Sequence, residues 1–349
     1  MSRDVIRNPW AESVVLVTGV SGTVGRELLR QLIIAGTREI IGVDNNETEI
    51  FFLSEEHRDT AGVHLYVGDV RDRSRMQRLM EGVSVVIHAA ALKHVVLCEH
   101  APNDALQTNI MGTQNIIDAA IGAGVGRVIF TSSDKAVNPT NVMGTSKLMA
   151  ERLITAANAM RRGDGPIFAS TRFGNVLGSR GSVVPIFRQQ ILRGGPVTIT
   201  DRDMTRFVMT LQQAALLVME SVFRAKGGEV FITKMPVIRV VDLAAVMIEE
   251  LARRNGLDRS KIDTKVIGAK AGEKLYEELM SEEETRRTVE LEKYFCVLPA
   301  FKTVYRSIEY SYDDVLSTRI AQPYNSTFIA PMSPDELASY LEESALLGG

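Results

Sequence analysis

The chain has 349 residues, enough to bury a sizeable core as one large domain or as a large and a small one. Hydrophobic residues make up 45% and charged residues 24%, as in soluble globular proteins, and a net charge of -3 argues against nucleic-acid binding as the main task. The two cysteines, Cys98 and Cys296, support neither a disulfide framework nor a metal site, so we expect reduced thiols, no bound metal and a cytoplasmic protein. No window approaches the roughly 18 consecutive apolar residues that cross a bilayer, and MSRDVIRNPWAE lacks a signal-peptide core, so no membrane span is expected.

The apolar run Val14 to Val17 ends in Thr18-Gly19 and reads as a buried parallel strand. GVSGTVG follows, then an amphipathic helix from Arg26 to Ala35 and a strand from Glu39 to Val43 ending in Asp44. This order of elements is that of a dinucleotide-binding unit. Gly19 allows the tight turn, Gly22 lets a pyrophosphate approach the backbone, and Gly25 lets helix and strand pack closely. Ser21, Thr23 and Val24 complete the loop, where free N–H groups at the helix start attract phosphate. The G-x-x-G-x-x-G spacing is the variant associated with short-chain dehydrogenase/reductases. Asp44 stands where a carboxylate accepts hydrogen bonds from the adenosine ribose, which favours NAD because an acid repels a 2′-phosphate; NADP stays open.

A strand at Val63 to Val67 leads to Gly68-Asp69-Val70, with Asp69 and Val70 beside the adenine. A helix from about Arg73 to Glu81 precedes the strand Val83 to His88 and the small residues Ala89, Ala90 and Ala91, which suit close passage of the backbone over a cofactor. His88 reads as structural. Lys93, His94 and Glu99 are the polar members of an apolar stretch and so candidates to face a pocket; for His94 a hydrogen-bonded interior position is an equal reading. A long helix is expected from Ala101 to Gly122, with Asn109 on the cofactor side, tying the next strand, Arg127 to Thr131, to the helix.

These β-α repeats predict an α/β fold: a Rossmann-type doubly wound parallel sheet with a smaller C-terminal α/β substrate-binding domain. We expect residues 1–174 to form the cofactor domain, able to regain a strand or helix from later segments. Residues 175–309 form mainly the substrate region, and 310–349 an extension without an assigned task. Ligands in such sheets bind beyond the carboxyl ends of the strands, so the glycine loop, Asp44, Asp69, Ala89 to Ala91 and Ser132 to Lys135 should converge on one crevice. Farther on, a helix from Gly144 to Arg161 and a strand from Ile167 to Arg172 lead into the loop FGNVLGSRGSVVP. A helix at Val183 to Leu192, the strand PVTIT, the turn DRDMTRF, a helix at Gln212 to Ala225, a strand at Glu229 to Thr233 and a helix at Val241 to Asn255 follow.

The segment VIFTSSDKAVNPTNVMGTSK, from Val128 to Lys147, carries the titratable groups at a strand end. In a tyrosine-dependent short-chain dehydrogenase, Tyr-x-x-x-Lys puts two side chains one helical turn apart, and the tyrosine shuttles the alcohol proton. Here Met143 takes the tyrosine's place while Lys147 stays, and methionine carries no proton. Either the protein is no oxidoreductase or neighbours take over, and Asp134 and Lys135 are the neighbours.

TSSDKAVNPTNVMGTSK, ALKHVVLCE, RFGNVLGSRGSVVP, ITDRDMTRF and AGEKLYEEL together resemble the UDP-N-acetylglucosamine 4,6-dehydratases of bacterial polysaccharide and glycoprotein biosynthesis. That family includes Met-x-x-x-Lys members. The resemblance implies a UDP-sugar substrate and an NAD(P) cofactor that is tightly bound and regenerated in each turnover. It implies oxidation at C4, loss of the C5 proton and C6 hydroxyl as water, and hydride return to C6. Asp134 would be the acid at C6. Lys135 would be the C5 base, with a pKa lowered by burial and by neighbouring positive charge. Lys147 would bind the nicotinamide ribose and relay the C4 proton with Ser133 or a water. Asn175, Arg180, Ser182, Arg206 and Glu273, with Lys93 and His94, would contact the nucleotide sugar, the arginines suiting a diphosphate. Leu92 points to inversion at C5. We also expect a homo-oligomer, a dimer or higher. A nucleotide-sugar epimerase, a 5,6-dehydratase and a non-catalytic NAD(P)-binding sensor are the competing readings.

Overall fold

Apolar residues that repeat on both faces of a strand demand cover on both faces, and the chain supplies it with helices. The computed structural model describes residues 8–161, 163–268, 272–301 and 307–347. Its first half runs β1 (Val14–Thr18), α1 (Thr23–Ile34), β2 (Glu39–Asp44), α2 (Glu47–Glu56), β3 (Val63–Val67), α3 (Arg73–Leu79), β4 (Val85–His88), α4 (Val95–His100), α5 (Pro102–Ala105), α6 (Gly112–Gly122), β5 (Arg127–Ser133), α7 (Val142–Ala159) and β6 (Ile167–Phe173). The second half runs β7 (Asn175–Val176), α8 (Val183–Leu192), β8 (Val197–Ile199), β9 (Thr205–Met209), α9 (Leu211–Arg224), β10 (Val230–Thr233), β11 (Val237–Arg239) and α10 (Val240–Asn255). It closes with β12 (Thr264–Val266), β13 (Glu278–Met280), α11 (Glu282–Thr285), β14 (Thr288–Leu291), β15 (Tyr294–Val297), β16 (Val315–Ser317), β17 (Tyr324–Asn325) and α12 (Pro334–Glu343).

The main sheet has ten strands in the order β16-β14-β15-β10-β6-β5-β4-β1-β2-β3. The pairs from β3 to β10 are all parallel, and β15, β14 and β16 add antiparallel. This is the expected doubly wound Rossmann-type sheet, with its switch of direction between β1 and β4. Side chains alternate across β1. Val15 and Val17 pack with Leu28, Leu29 and Leu32 of α1 and Val218 of α9. Val14 and Leu16 pack with Met76 of α3, Ile116 of α6 and Ile154 of α7. Each such buried aliphatic side chain contributes roughly 1.5–3 kcal/mol.

A second, smaller core joins α8, β8, α10 and α12 through Phe187, Ile191, Val197, Leu243, Met247, Leu337 and Leu341. β10, β14, β15 and β16, all beyond residue 174, return to the main sheet. The extension is woven in as well: β17 pairs with β13, and α12 buries Leu337 and Leu341. Both cysteines are free and buried.

Other local differences have physical causes. The single helix expected from Ala101 to Gly122 is three pieces, with a π-helical turn at Leu106–Met111 between α5 and α6. That wide turn aims Asn109 at the loop before α4. DRDMTRF is not a simple turn, since Thr205–Met209 is the central strand of a three-stranded sheet. In FGNVLGSRGSVVP, Asn175–Val176 forms the short strand β7 beside it.

Candidate active site

The glycine loop leaves β1 at Gly19, whose φ is +71° and where a Cβ would lie 2.7 Å from the backbone nitrogen of Ala90. A Cβ on Gly25 would lie 2.1 Å from the carbonyl oxygen of Gly19, so only glycine lets α1 begin there. Gly22 caps α1 with no side-chain hydrogen bond, which leaves the helix's first N–H groups for a ligand. Together with Thr23, Val24, Asp69, Val70 and Ala89 to Ala91 these residues line a crevice of about 740 Å³. Asp44 lies on its wall and accepts from the backbone N–H of Ser21 (3.1 Å) and of Asn46 (3.0 Å). Ser21 is buried behind the loop and does not line the crevice. The Arg71 guanidinium, 2.6 Å from Asp69, holds that carboxyl below the usual carboxylate range. Arg71 itself lines the crevice, a cation that the sequence reading did not weigh.

Asn109 is placed differently from its expected contact with a cofactor. It is buried beneath the crevice wall, where it bonds the N–H and the carbonyl of Leu92 (2.8 and 3.0 Å) and the hydroxyl of Ser146 (2.8 Å). It therefore ties the loop after β4 to α7. His88 is enclosed between the hydroxyls of Thr18 (2.7 Å) and Thr113 (3.1 Å), and burial pushes its pKa down to about 3, so it stays neutral.

The far end of the crevice is built by β5 and α7. Asn141 caps α7 by accepting from the N–H of Gly144. Gly144 lets the helix start against the turn after β5, since a Cβ there would lie 2.2 Å from the carbonyl oxygen of Lys135. Met143 and Lys147 both line the crevice, Met143 with its flank packed on Cys98 and Ala105. The Lys147 amine donates to the carbonyl of Thr131 (2.9 Å) and sits 4.6 Å from the centre of the Phe130 ring. Burial pushes its pKa down to about 8, although Glu151 pulls the other way. Glu151 in turn joins Arg172 and Glu284 in a buried ion triad with contacts of 2.6 and 2.8 Å, which fixes α7 to β6 and α11. The Ser132 hydroxyl, also on the crevice wall, is buried without a hydrogen-bond partner, as is that of Ser182. Unsatisfied buried hydroxyls are costly, and both belong to residues on the wall of the crevice.

Asp134 and Lys135 line this crevice and also a second cavity of about 530 Å³ beyond it. The Lys135 amine lies 2.9 Å from Asp134, and the Ser133 hydroxyl donates to the same carboxylate at 2.6 Å. A third carboxyl closes the cluster. Glu277 is 3.6 Å from the Lys135 amine, feels the Asp134 charge, is held by the Asn175 amide at 3.0 Å on both oxygens, and is 3.3 Å from the Arg206 guanidinium. Burial and the Asp134 charge push its pKa up to about 7. Asp134 is buried too, yet Lys135 and the Ser133 hydroxyl keep it below the ordinary range. Burial acts to lower the pKa of Lys135, but the two carboxyls outweigh it and raise it. The expected lowered lysine pKa is thus reversed, because the neighbours are carboxyls rather than cations.

The nucleotide-sugar candidates divide. His94, Asn175, Ser182, Arg206 and Glu273 line the second cavity. Arg206 reaches it already engaged: its guanidinium donates to the carbonyls of Thr205, Lys274 and Leu275, so it shapes the 272–277 loop and has few donors left for a diphosphate. Arg180 lines only the first crevice. Its N–H reaches the Thr23 hydroxyl (3.3 Å), its guanidinium pairs with Glu49 (3.0 Å), and its carbonyl accepts from Lys93. It stands over the glycine loop, away from the second cavity.

A family model described as polysaccharide biosynthesis protein matches residues 15–299. The chain belongs to this family. Among similar family proteins, an uncharacterized membrane protein of Methanocaldococcus jannaschii is 48% identical over 84% of this chain and 88% of its own length. The UDP-N-acetylglucosamine 4,6-dehydratase (inverting) of Campylobacter jejuni is 37% identical over 85% of this chain and 86% of that enzyme. The UDP-glucose 4-epimerase of Rickettsia rickettsii is 38% identical over 82% of this chain and 83% of the epimerase. The chain spans about half the length of two longer relatives from Bacillus subtilis and Staphylococcus aureus (47% and 49%). The solved structure of Pen from Bacillus thuringiensis is 40% identical, with a TM-score of 0.86 over 96% of this chain and 98% of that one. MoeE5 in complex with UDP-glucose and NAD is 25% identical, with a TM-score of 0.62 over 74% of this chain and 87% of that one. The similar proteins thus include nucleotide-sugar dehydratases and epimerases. Among the described residues no helix is long and apolar enough to cross a membrane, and no cluster of acidic, histidine or cysteine residues is placed to hold a metal.

Proposed function

We propose that the protein is a nucleotide-sugar 4,6-dehydratase that converts UDP-N-acetylglucosamine to a UDP-4-keto-6-deoxy sugar with inversion at C5. The observation that carries this reading is the position of Asp134 and Lys135 on the shared wall of a dinucleotide-type crevice and a second cavity. NAD, when bound beside these residues, would supply the hydride chemistry between C4 and C6. Its residence is supported by the bare N-terminus of α1, the Asp44 carboxylate and the orphaned hydroxyl of Ser132. The dinucleotide named in the MoeE5 complex agrees with that fit.

The residues would act as follows. Loss of the C4 hydroxyl proton needs an acceptor, and Met143 is none. Lys147, with a pKa near 8, is partly a free amine in neutral to mildly basic solution and takes that proton directly or through Ser133 or a water. Elimination then needs a base at C5 and an acid at C6. The resting pair is ammonium and carboxylate, the opposite of what is needed. One proton passing from Lys135 to Asp134 across their 2.9 Å contact makes both groups competent at once. Lys135 then takes the C5 proton, Asp134 protonates the departing C6 hydroxyl, and the pair is back in its resting charge state. The inverting outcome rests on Leu92 and on the name of the Campylobacter relative.

The test is product analysis by NMR after incubation with NAD and UDP-N-acetylglucosamine. A C6 methyl group coupled to C5 supports the reading. A C4 epimer, as the epimerase relatives would make, or a vinylic C6 overturns it.

A further inference from the structure

Glu277 lies 143 residues beyond Asp134 in sequence (277 − 134) yet shares its hydrogen-bonding environment, and the mechanism above gives it no task. It is held by separate elements. Asn175 of β7 clamps both of its oxygens, Arg206 of β9 flanks it, and the Ser326 hydroxyl bonds its backbone N–H. Its side chain is 6% exposed and borders the second cavity. The charged groups facing it are Asp134 and Lys135 from the turn after β5 and Arg206 from β9. On its own segment, Glu273 lies beside Arg206, and Lys274 pairs with Glu278.

Building on the dehydratase reading, we propose that Glu277 is a positioning residue that governs whether the Asp134–Lys135 pair can exchange its proton. When Glu277 is a neutral acid, Lys135 faces one carboxylate. The transfer from Lys135 ammonium to Asp134 carboxylate, giving amine and carboxylic acid, is then within reach in a site that substrate has dried. When Glu277 is a carboxylate, Lys135 sits between two anions, at 2.9 and 3.6 Å, and is fixed as ammonium. It then cannot take the C5 proton. The third carboxyl thereby makes the pair's chemistry conditional on one further proton, which burial and Asp134 hold on Glu277 up to about neutrality.

The experiment compares kcat and KM against pH for the full-length wild type and Glu277→Gln with NAD and UDP-N-acetylglucosamine. Glutamine keeps the shape and can still accept from Asn175 and donate to Asp134, but it cannot become an anion. With Lys147 becoming a free amine through about pH 8 and Glu277 ionising from about pH 7, the wild-type kcat should peak between these values and fall above about pH 8, approaching tenfold per pH unit. In Glu277→Gln that limb should move up by more than one unit, with KM changed less than about threefold. A variant whose limb coincides with that of the wild type, or one whose kcat falls equally at every pH, overturns the proposal. A second measurement needs neither turnover nor that variant: an NMR titration of the ligand-free protein, with the Lys135 side-chain signals assigned through Lys135→Arg. Those signals should shift with a midpoint near pH 7 as Glu277 ionises, while the lysine itself stays charged, and a flat titration between pH 6 and 8 overturns the proposal. If the wild type makes an epimer, the dehydratase reading falls, and the titration still decides whether Glu277 ionises beside Lys135 near pH 7.

Discussion

At the scale of residues, the chemistry depends on which groups can hold a proton and where. Met143 removes the phenol of the usual dyad, and the buried Lys147 remains with a pKa lowered to about 8. Replacing it with methionine should abolish reduction of bound NAD by UDP-N-acetylglucosamine, read by absorbance in a single turnover, and normal reduction would refute its role at C4. Asp44 is fixed by the Ser21 and Asn46 N–H groups, and in the proposed NAD site its carboxylate would meet the ribose. NAD should therefore bind at least tenfold more tightly than NADP by calorimetric titration. Tighter NADP binding would shift attention to Arg71, which lines the same crevice. The glycine loop, Asp44 and the Asp134-Lys135 step were legible in the sequence because each follows a strand end. Glu277 was not, although AGEKLYEEL contains it, because its role comes from a contact across 143 positions.

At the scale of elements, α7 carries Lys147, and its orientation depends on the triad of Glu151, Arg172 and Glu284. Arg172 is fully buried and bonds both carboxylates bidentately, so its donors are fully satisfied only while both remain. Burial alone would raise the pKa of Glu284, but the Arg172 charge and hydrogen bonds win and hold it down to about 2. A folded pKa below the ordinary 4.5 stabilises the fold above that pH, and the contribution is lost as pH falls from about 4.5 toward 2. Glu284→Gln should cost on the order of 3 kcal/mol in urea unfolding at pH 7 and much less at pH 3. A loss of the same size at both pH values would contradict the linkage. Sequence patterning located α1, α3 and α7 to α10 but not α2, α4, α11 or α12, nor the π-helical turn at 106–111 that carries Asn109 to Leu92 and Ser146.

At the scale of the whole molecule, the parallel sheet from β3 to β6 was readable from strand-helix alternation, while the return of β10 and β14 to β16 was not. β10 pairs with β6 and β15, both distant in sequence, so nothing local announces that the β14–β15 hairpin joins the sheet. The last forty residues show the same limit: the sequence reading assigned them no task, and only the packing of Leu337 and Leu341 in the core of α10 shows that α12 belongs to the body. Leu341→Ala should destabilise the protein by about 2–5 kcal/mol in urea unfolding, whereas no change would mark a loosely attached tail. The two cores meet where Asp134 and Lys135 stand, and the function proposed for that junction makes one isotopic demand. With UDP-N-acetylglucosamine in deuterated water, the product should carry one solvent deuterium at C5 and none in its C6 methyl group, whose added hydrogen comes from C4. A product without a methyl group, or a methyl group carrying solvent deuterium, would contradict it.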